Sequence, residues 1–215
     1  MQAGEDRFWA TEEYLRREAL GAFAHEMRTP LTAIRMVLEL GGAGGEGRVV
    51  LDEELARMLR TSVEQLQQLA DELQEVSRLE RGKLRPATGP CQLRAAVEQA
   101  RNGLGERILL VGEVPDLTGH WDAKRLSGAI RTMAEAASRA GDGSGEVKLA
   151  AAEDGDRICI TISSGEPGQP ARAVAADIGY GFFAARQAVL AMGGQVECDR
   201  ADRYLEVRLF LPLKR

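Results

Sequence analysis

Two long stretches of the chain carry apolar side chains at steps of mostly three or four residues. In the first stretch, about residues 12–41, these positions are Phe23, Met27, Leu31, Ile34 and Leu38. In the second they are Leu55, Leu59, Leu66, Leu69, Leu73, Val76 and Leu79. This spacing places apolar groups along one face of an α-helix. The pattern therefore predicts two long amphipathic helices.

A glycine-rich run at residues 41–47 separates the two helical patterns. Glycine is costly inside helices and permissive in turns, so this run predicts a break. Two helices joined by a short connection form a helical hairpin. Because a lone hairpin would leave its apolar seams in water, we expect two copies to pair as a homodimer with a four-helix bundle.

From Cys91 onward the pattern alternates between helix and strand. The predicted helices cover residues 93–102, 122–139 and 182–192, and the predicted strands cover residues 107–114, 146–152, 157–163, 195–199 and 204–211. Asp122 is expected to cap the second of these helices.

The expected fold class is therefore α+β. An N-terminal helical hairpin forms a dimeric four-helix bundle, and an α/β sandwich of mixed sheet against helices follows it. The expected divisions are a dimerising helical hairpin at residues 1–84, a linker at 85–90 and a second domain at 91–215.

Composition narrows the function classes. The net charge of −5 does not favour nucleic-acid binding, and no apolar run approaches the roughly 20 residues of a membrane span. Cys91, Cys159 and Cys198 are far apart and lack the spacing of metal ligands, so no metal site is predicted. We expect a cytoplasmic protein with reduced thiols, no membrane contact and no nucleic-acid partner.

Three segments resemble parts of one protein family. Residues 25–31 (His-Glu-Met-Arg-Thr-Pro-Leu) resemble the phospho-acceptor box of sensor histidine kinases. Residues 79–84 (Leu-Glu-Arg-Gly-Lys-Leu) are similar to the segment that joins the helical bundle to the ATP-binding domain in that family. The domain from residue 91 resembles the ATPase domain that histidine kinases share with gyrase and heat-shock chaperones.

The resemblance implies catalytic roles for three residues. A neutral imidazole is nucleophilic near pH 7, and His25 would be the phosphoryl acceptor. Glu26 would accept the imidazole proton or orient the ring. Glu26 and Thr29 would also position water for dephosphorylation of a partner aspartate. An alternative for Thr29 is a hydrogen bond from its hydroxyl to the carbonyl of His25, one turn earlier.

The positions that would bind ATP depart from the family pattern. Glu135 stands in place of the asparagine that helps hold magnesium, and it could instead pair with Arg131 one turn before. Ser164 replaces the aspartate that accepts from the adenine amino group, and a hydroxyl is a weaker, neutral partner. Glu166 replaces a glycine and adds negative charge where a polyanion would lie.

The third nucleotide motif is retained only in part. Gly179 and Gly181 match the glycine turn that presents backbone amides to phosphates at a helix start, and we interpret them as vestigial. Between residues 168 and 179 only a short stretch remains, where the family has a long lid.

These observations favour a phosphorelay protein, similar to stand-alone histidine phosphotransferases, that exchanges a phosphoryl group between His25 and the aspartate of a response-regulator receiver domain. ATP binding would be lost, so no cofactor is expected. One alternative is an active histidine kinase with an atypical site for magnesium and ATP. Another is a non-enzymatic dimer that docks and sequesters a response regulator.

Overall fold

The computed structural model describes residues 12–44, 48–81, 85–102, 104, 108–140, 146–165, 179–201 and 204–213. Its first part is a helical hairpin of α1 (Glu12–Leu40) and α2 (Glu53–Glu80), which pack against each other. A short antiparallel ribbon of β1 (Gly42–Gly44) and β2 (Arg48–Val50) joins them. Within the described ranges, no helix is both long enough and apolar enough to cross a membrane.

Local chemistry explains where α2 begins. The Asp52 side chain accepts a hydrogen bond from the backbone N–H of Leu55 at 2.8 Å, which caps the helix. Glu53 and Glu54 occupy its first turn, where the helix dipole stabilises negative charge.

The second part of the chain, which we call the C-terminal unit, has ten elements. They are β3 (Gly89–Gln92), α3 (Leu93–Asn102), β4 (Ile108–Leu110), β5 (Thr118–Trp121), α4 (Ala123–Ala140), β6 (Val147–Asp154), β7 (Arg157–Ser164), α5 (Gly179–Ala191), β8 (Gln195–Ala201) and β9 (Tyr204–Pro212). Five strands form one sheet in the order β4-β6-β7-β9-β8, in which β4 and β6 are parallel and the other pairs antiparallel. β3 and β5 form a separate antiparallel ribbon.

The core of this unit lies between one face of the sheet and the helices α3, α4 and α5. Alternate residues of β7 are fully buried, namely Ile158, Ile160 and Ile162, and α4 contributes Leu126, Ile130 and Met133. The period of two in the strand and of three to four in the helix is the pattern of elements buried on one side.

The structure confirms the predicted fold class, a helical hairpin followed by a mixed sheet packed against helices. Several features differ from the sequence-based expectations, and the strand predicted at residues 107–114 is shorter, spanning Ile108–Leu110. The glycine-rich connection contains the β1–β2 ribbon, β3 and β5 form a ribbon that the pattern did not indicate, and α5 begins at Gly179 rather than at Phe182. β3 also begins at Gly89, inside the segment predicted as a linker.

Asp122 fastens the start of the C-terminal unit to α4. Its Oδ1 accepts from the backbone N–H of Arg125 at 3.1 Å, which confirms the predicted cap. Its Oδ2 accepts from the backbone N–H of Ala87 at 2.9 Å and lies 3.3 Å from Nε of Arg125. One buried carboxylate therefore holds the chain that leaves the hairpin against the first turn of α4.

Asp122→Ala should lower the free energy of unfolding by about 2–3 kcal/mol, because it removes a helix cap and a buried, charge-assisted tie together. Asp52→Ala, which removes an exposed cap with one hydrogen bond, should cost about 1 kcal/mol or less. Urea unfolding followed by circular dichroism measures both. Equal losses in the two variants would contradict this account of Asp122.

Candidate functional site

A cleft of about 1070 Å³ lies between the hairpin and the C-terminal unit. It brings together residues that are far apart in sequence. The lining includes residues that the sequence analysis singled out as candidates for catalysis or nucleotide binding, among them His25, Glu26, Thr29, Glu135, Gly179 and Gly181. The acceptor segment of α1 therefore faces the ends of α4 and α5 across a common space.

The helical geometry of α1 sends neighbouring side chains in different directions. His25 and Glu26 are about 100° apart around the helix axis. His25 is exposed at the edge of the cleft, whereas Glu26 is half-buried against α5. An exposed imidazole can be reached by a partner protein, and the carboxylate beside it is held by the C-terminal unit.

Thr29 lies one turn beyond His25 and is also exposed on the cleft. In the part of the chain that the structure describes, its hydroxyl makes no hydrogen bond to the carbonyl of His25. Thr32 makes a bond of this kind instead, donating to the carbonyl of Arg28 at 2.8 Å. The alternative considered for Thr29 is therefore not what the structure shows, and Thr29 lines the cleft.

Glu26 makes the polar contact that crosses from the hairpin to α5. Its Oε1 accepts from the backbone N–H of Tyr180 at 3.1 Å, at the start of that helix. The positive end of the helix dipole stabilises a carboxylate in this position. Gly179 has φ of 77°, and a Cβ there would lie 2.9 Å from Glu26 Oε1 and 3.5 Å from Nη2 of Arg139. The positive φ favours glycine at this position, and the Glu26 side chain would have to shift to admit a Cβ.

Apolar side chains surround this polar contact. A small buried cluster consists of Ala19, Val76, Tyr180 and Phe183, with Phe23 and Ala184 packed against it. The rings of Phe23 and Tyr180 lie 5.0 Å apart at 60°, a favourable tilted arrangement. The burial of this cluster holds α5 against both helices of the hairpin.

A further contact lies at the other side of the cleft. Arg125, at the start of α4, pairs with Glu75 of α2. The hairpin and the C-terminal unit are thus joined by a carboxylate–amide bond, an apolar cluster and an ion pair.

The residues at the positions associated with nucleotide binding do not all face the cleft. Ser164 is only 1% exposed, and its hydroxyl donates to the carbonyl of Glu146 at 2.7 Å. Glu135 lines the cleft together with Arg131, and across the described ranges these two side chains form no ion pair. Glu166 and the short stretch before Gly179 lie outside the described residues.

Sequence reasoning missed the contribution of Arg139 and of the Tyr180 backbone N–H. Arg139 is a basic residue in the last turn of α4, and it lines the cleft beside Gly179. Nothing in its local sequence distinguishes it from a solvated residue at a helix end. The contact of the Tyr180 N–H with Glu26 depends on how the hairpin packs against the C-terminal unit, which local sequence does not indicate.

Comparison with known proteins is consistent with this geometry. Residues 15–82 match the His Kinase A (phospho-acceptor) domain family. The signal transduction histidine-protein kinase BaeS of Escherichia coli K12 is 27% identical over 162 residues, which cover 73% of this chain and 34% of BaeS. Sensor protein KdpD of Mycobacterium tuberculosis is 26% identical over 224 residues, covering 91% of this chain and 26% of KdpD. The chain thus spans about a third or less of these relatives.

Solved structures share the fold. Histidine kinase AdeS of Acinetobacter baumannii superposes with a TM-score of 0.69 at 20% identity, covering 89% of this chain and 98% of that chain. Full-length ShkA in complex with AMPPNP gives a TM-score of 0.59 at 22% identity, covering 91% of this chain and 45% of that chain. Residues 15–82 thus match the His Kinase A phospho-acceptor domain family, and the chain as a whole has the fold of these solved histidine kinases.

Proposed function

We propose that this protein is a phosphorelay component in which His25 exchanges a phosphoryl group with the aspartate of a response-regulator receiver domain, and that ATP is not its donor. The observation that carries this proposal is a contrast between two sites. His25 and Thr29 are exposed on an open cleft beside Glu26. Ser164, at the position that would contact adenine, is buried and bonded to a backbone carbonyl.

Phosphoryl transfer between His25 and an aspartate requires few groups of this chain other than those on α1. An imidazole nitrogen of His25 attacks the phosphorus of the aspartyl phosphate, the bond to the aspartate oxygen breaks, and the aspartate leaves as a carboxylate. The imidazole N–H proton passes to Glu26. Phosphoryl transfer depends mainly on alignment and charge stabilisation, which a rigid helix and the partner's own site can supply.

The residues present suit magnesium and ATP poorly. The Ser164 hydroxyl is already used as a donor to Glu146, and it would offer adenine no carboxylate. Glu135 could coordinate magnesium as a carboxylate. Glu135 lines the same cleft as Glu26, so more than one carboxylate would face the phosphates.

A second candidate function, an active kinase with an atypical ATP site, is favoured by one observation. Glu135, Gly179 and Gly181 line the same cleft as His25, so a nucleotide held there would lie near the acceptor. The measurements below separate the two functions.

We also propose that the protein acts as a homodimer. Leu20, Leu31 and Leu38 are 59%, 50% and 52% exposed in the single chain. They are separated by 11 and 7 residues, close to whole numbers of helical turns, so they form one apolar line along α1. Val63 and Leu73 of α2 are exposed as well. A second hairpin would cover these side chains and complete a four-helix bundle.

Light scattering should give the mass of a dimer at micromolar concentration. Leu31→Glu or Leu38→Glu should convert it to a monomer, because each would bury an unpaired charge in the seam. Leu109→Glu changes a leucine of the C-terminal unit that is 43% exposed, and it should leave the dimer intact. A monomeric wild-type chain would refute the bundle.

Isothermal titration calorimetry should show magnesium–ATP binding weaker than about 1 mM, equivalent to less than about 4 kcal/mol. The physical reason is the loss of a carboxylate acceptor at Ser164 together with the negative charge at Glu135. Micromolar affinity would instead support the kinase function. So would autophosphorylation that disappears when Gly179 and Gly181 are replaced.

Phosphotransfer from a panel of phosphorylated receiver domains tests the proposal itself. His25→Ala should abolish it, and Glu26→Ala should slow it by about 10²–10⁴-fold, the range for a lost general base. Thr29→Ala should spare transfer but reduce dephosphorylation of the partner. Thr32→Ala is the matched control, since its hydroxyl bonds the helix backbone, and it should alter neither rate. Transfer that survives His25→Ala would exclude His25 as the acceptor.

A further inference from the structure

We infer that Arg139 is the cation that stabilises the phosphoryl group on His25 while this group is transferred. Arg139 lies in the last turn of α4 and lines the cleft that His25 also lines. The inference rests on the proposed role of His25 as the acceptor, and it adds a catalytic residue that belongs to the C-terminal unit.

The packing at Gly179 places Arg139 beside the acceptor segment. A Cβ built on Gly179 would lie 3.5 Å from Nη2 of Arg139 and 2.9 Å from Oε1 of Glu26. The guanidinium of α4 and the carboxylate of α1 therefore approach the same point from two sides. Glu26 directly follows His25 on α1, so this point lies next to the acceptor residue.

The guanidinium of Arg139 is available for a ligand. The residue is exposed, and among the described residues its side chain takes part in no hydrogen bond or ion pair. Arg125, near the other end of α4, differs because it is paired with Glu75 and Asp122. Exposed side chains change rotamer within nanoseconds, so Arg139 can turn from Gly179 toward a group on His25.

The charges around His25 give a cation a purpose. The transferred phosphoryl group carries negative charge on three oxygens, and the carboxylate of Glu26 adds a negative charge on the adjacent residue. Like charges at such short range repel each other. A guanidinium offsets this repulsion, and its planar fork of N–H donors fits the oxygens of a phosphoryl group.

A basic side chain in the last turn of a helix also has a structural role, because it interacts favourably with the helix dipole. That role requires only a positive charge at the end of α4, and it is independent of any phosphoryl group. Lysine would fill it as well as arginine, but lysine lacks the fork that binds two oxygens at once. The two roles therefore predict different results for Arg139→Lys.

Phosphoramidate is a small phosphodonor that tests Arg139 without a partner protein. An imidazole nitrogen of His25 attacks phosphorus, the phosphorus–nitrogen bond of the donor's ammonium form breaks, and ammonia leaves with the bonding electron pair. The ring proton of the phosphorylated imidazole is released to the buffer. The rate at which phosphohistidine forms then reports how well the phosphoryl group is stabilised during transfer.

Arg139→Gln should slow phosphorylation of His25 by phosphoramidate about 10²-fold, the lower end of the range for one lost stabilising donor. Arg139→Lys should recover only part of the rate, because it restores the charge without the fork. Guanidinium ion at a non-denaturing concentration should accelerate Arg139→Ala, because the free cation can occupy the vacated position. A purely structural role would not produce this rescue.

Arg131→Gln is the matched control. Arg131 is also exposed, lines the same cleft on α4 and has no side-chain partner among the residues that the structure describes. It lies two turns before Arg139, about 12 Å along the helix axis. Its replacement should leave the rate unchanged, and guanidinium should not accelerate that variant.

A second measurement separates failure of this inference from failure of the proposed function. The side-chain Nε–H signal of Arg139 would be followed by NMR while inorganic phosphate is added to the wild type and to His25→Ala. We expect this signal to shift in both proteins and the signal of Arg131 to stay in place. An Arg139 signal that does not move would contradict the phosphate contact.

The kinetic outcomes are equally distinct. If His25 is phosphorylated but Arg139→Gln reacts as fast as Arg131→Gln, or if Arg139→Lys equals the wild type and guanidinium gives no rescue, the inference is overturned. If no variant acquires phosphohistidine from phosphoramidate or from receiver domains, the proposed function fails. A shifted Arg139 signal would then still support the phosphate contact, and an unmoved signal would reject it as well.

Discussion

A hydrogen bond from the backbone N–H of Tyr180 to the carboxylate of Glu26 joins α1 to the first turn of α5. This hydrogen bond acts together with the apolar cluster around Tyr180 and the ion pair between Glu75 and Arg125, and the three contacts hold the hairpin against the C-terminal unit. The hydrogen bond is possible because Gly179 adopts a positive φ and carries no side chain. The apolar cluster around Tyr180 shields this bond, and a partly buried charge-assisted hydrogen bond is stronger than an exposed one.

The contrast between the acceptor segment and the nucleotide positions has a physical basis. An acceptor histidine needs one helix, an adjacent carboxylate and exposure, and α1 supplies all three. A nucleotide site needs several segments of the C-terminal unit to converge on one ligand with suitable acceptors. Burial of Ser164 against the Glu146 carbonyl removes one such acceptor, while the scaffold of sheet and helices stays intact. This contrast supports the proposal that ATP is not the phosphoryl donor.

Periodicity predicted most of the fold. The three- and four-residue spacing of apolar side chains predicted both long helices, and the glycine-rich run predicted the break between them. The ribbon of β3 and β5 was not predicted because its strands contain Gly89, Pro90 and Gly119, which are poor strand formers. These strands pair through tertiary contact. The start of α5 at Gly179 was not predicted because Glu26, which accepts from the first turn of this helix, lies more than 150 residues away in sequence.

The candidate site was partly visible in the sequence. His25, Glu26 and Thr29 form a contiguous motif that the pattern singles out, and the structure places all three on one cleft. No local pattern indicates that Glu26 contacts α5 or that Arg139 lies beside Gly179, since both contacts depend on how distant parts of the chain pack. The sequence also does not indicate which threonine hydroxyl bonds the helix backbone. The hydroxyl of Thr32, one turn after Thr29, donates to the carbonyl of Arg28.

Locating the phosphoryl group on the protein tests the central claim most directly. The chain would be incubated with a phosphorylated receiver domain in the absence of nucleotide, and in parallel with magnesium–ATP alone. Peptides would be kept at neutral or alkaline pH, because phosphohistidine is labile in acid, and sequenced by tandem mass spectrometry. The account predicts phosphate on His25 after incubation with the receiver domain and none after incubation with ATP. Phosphate on another residue, or on His25 only with ATP, would contradict it.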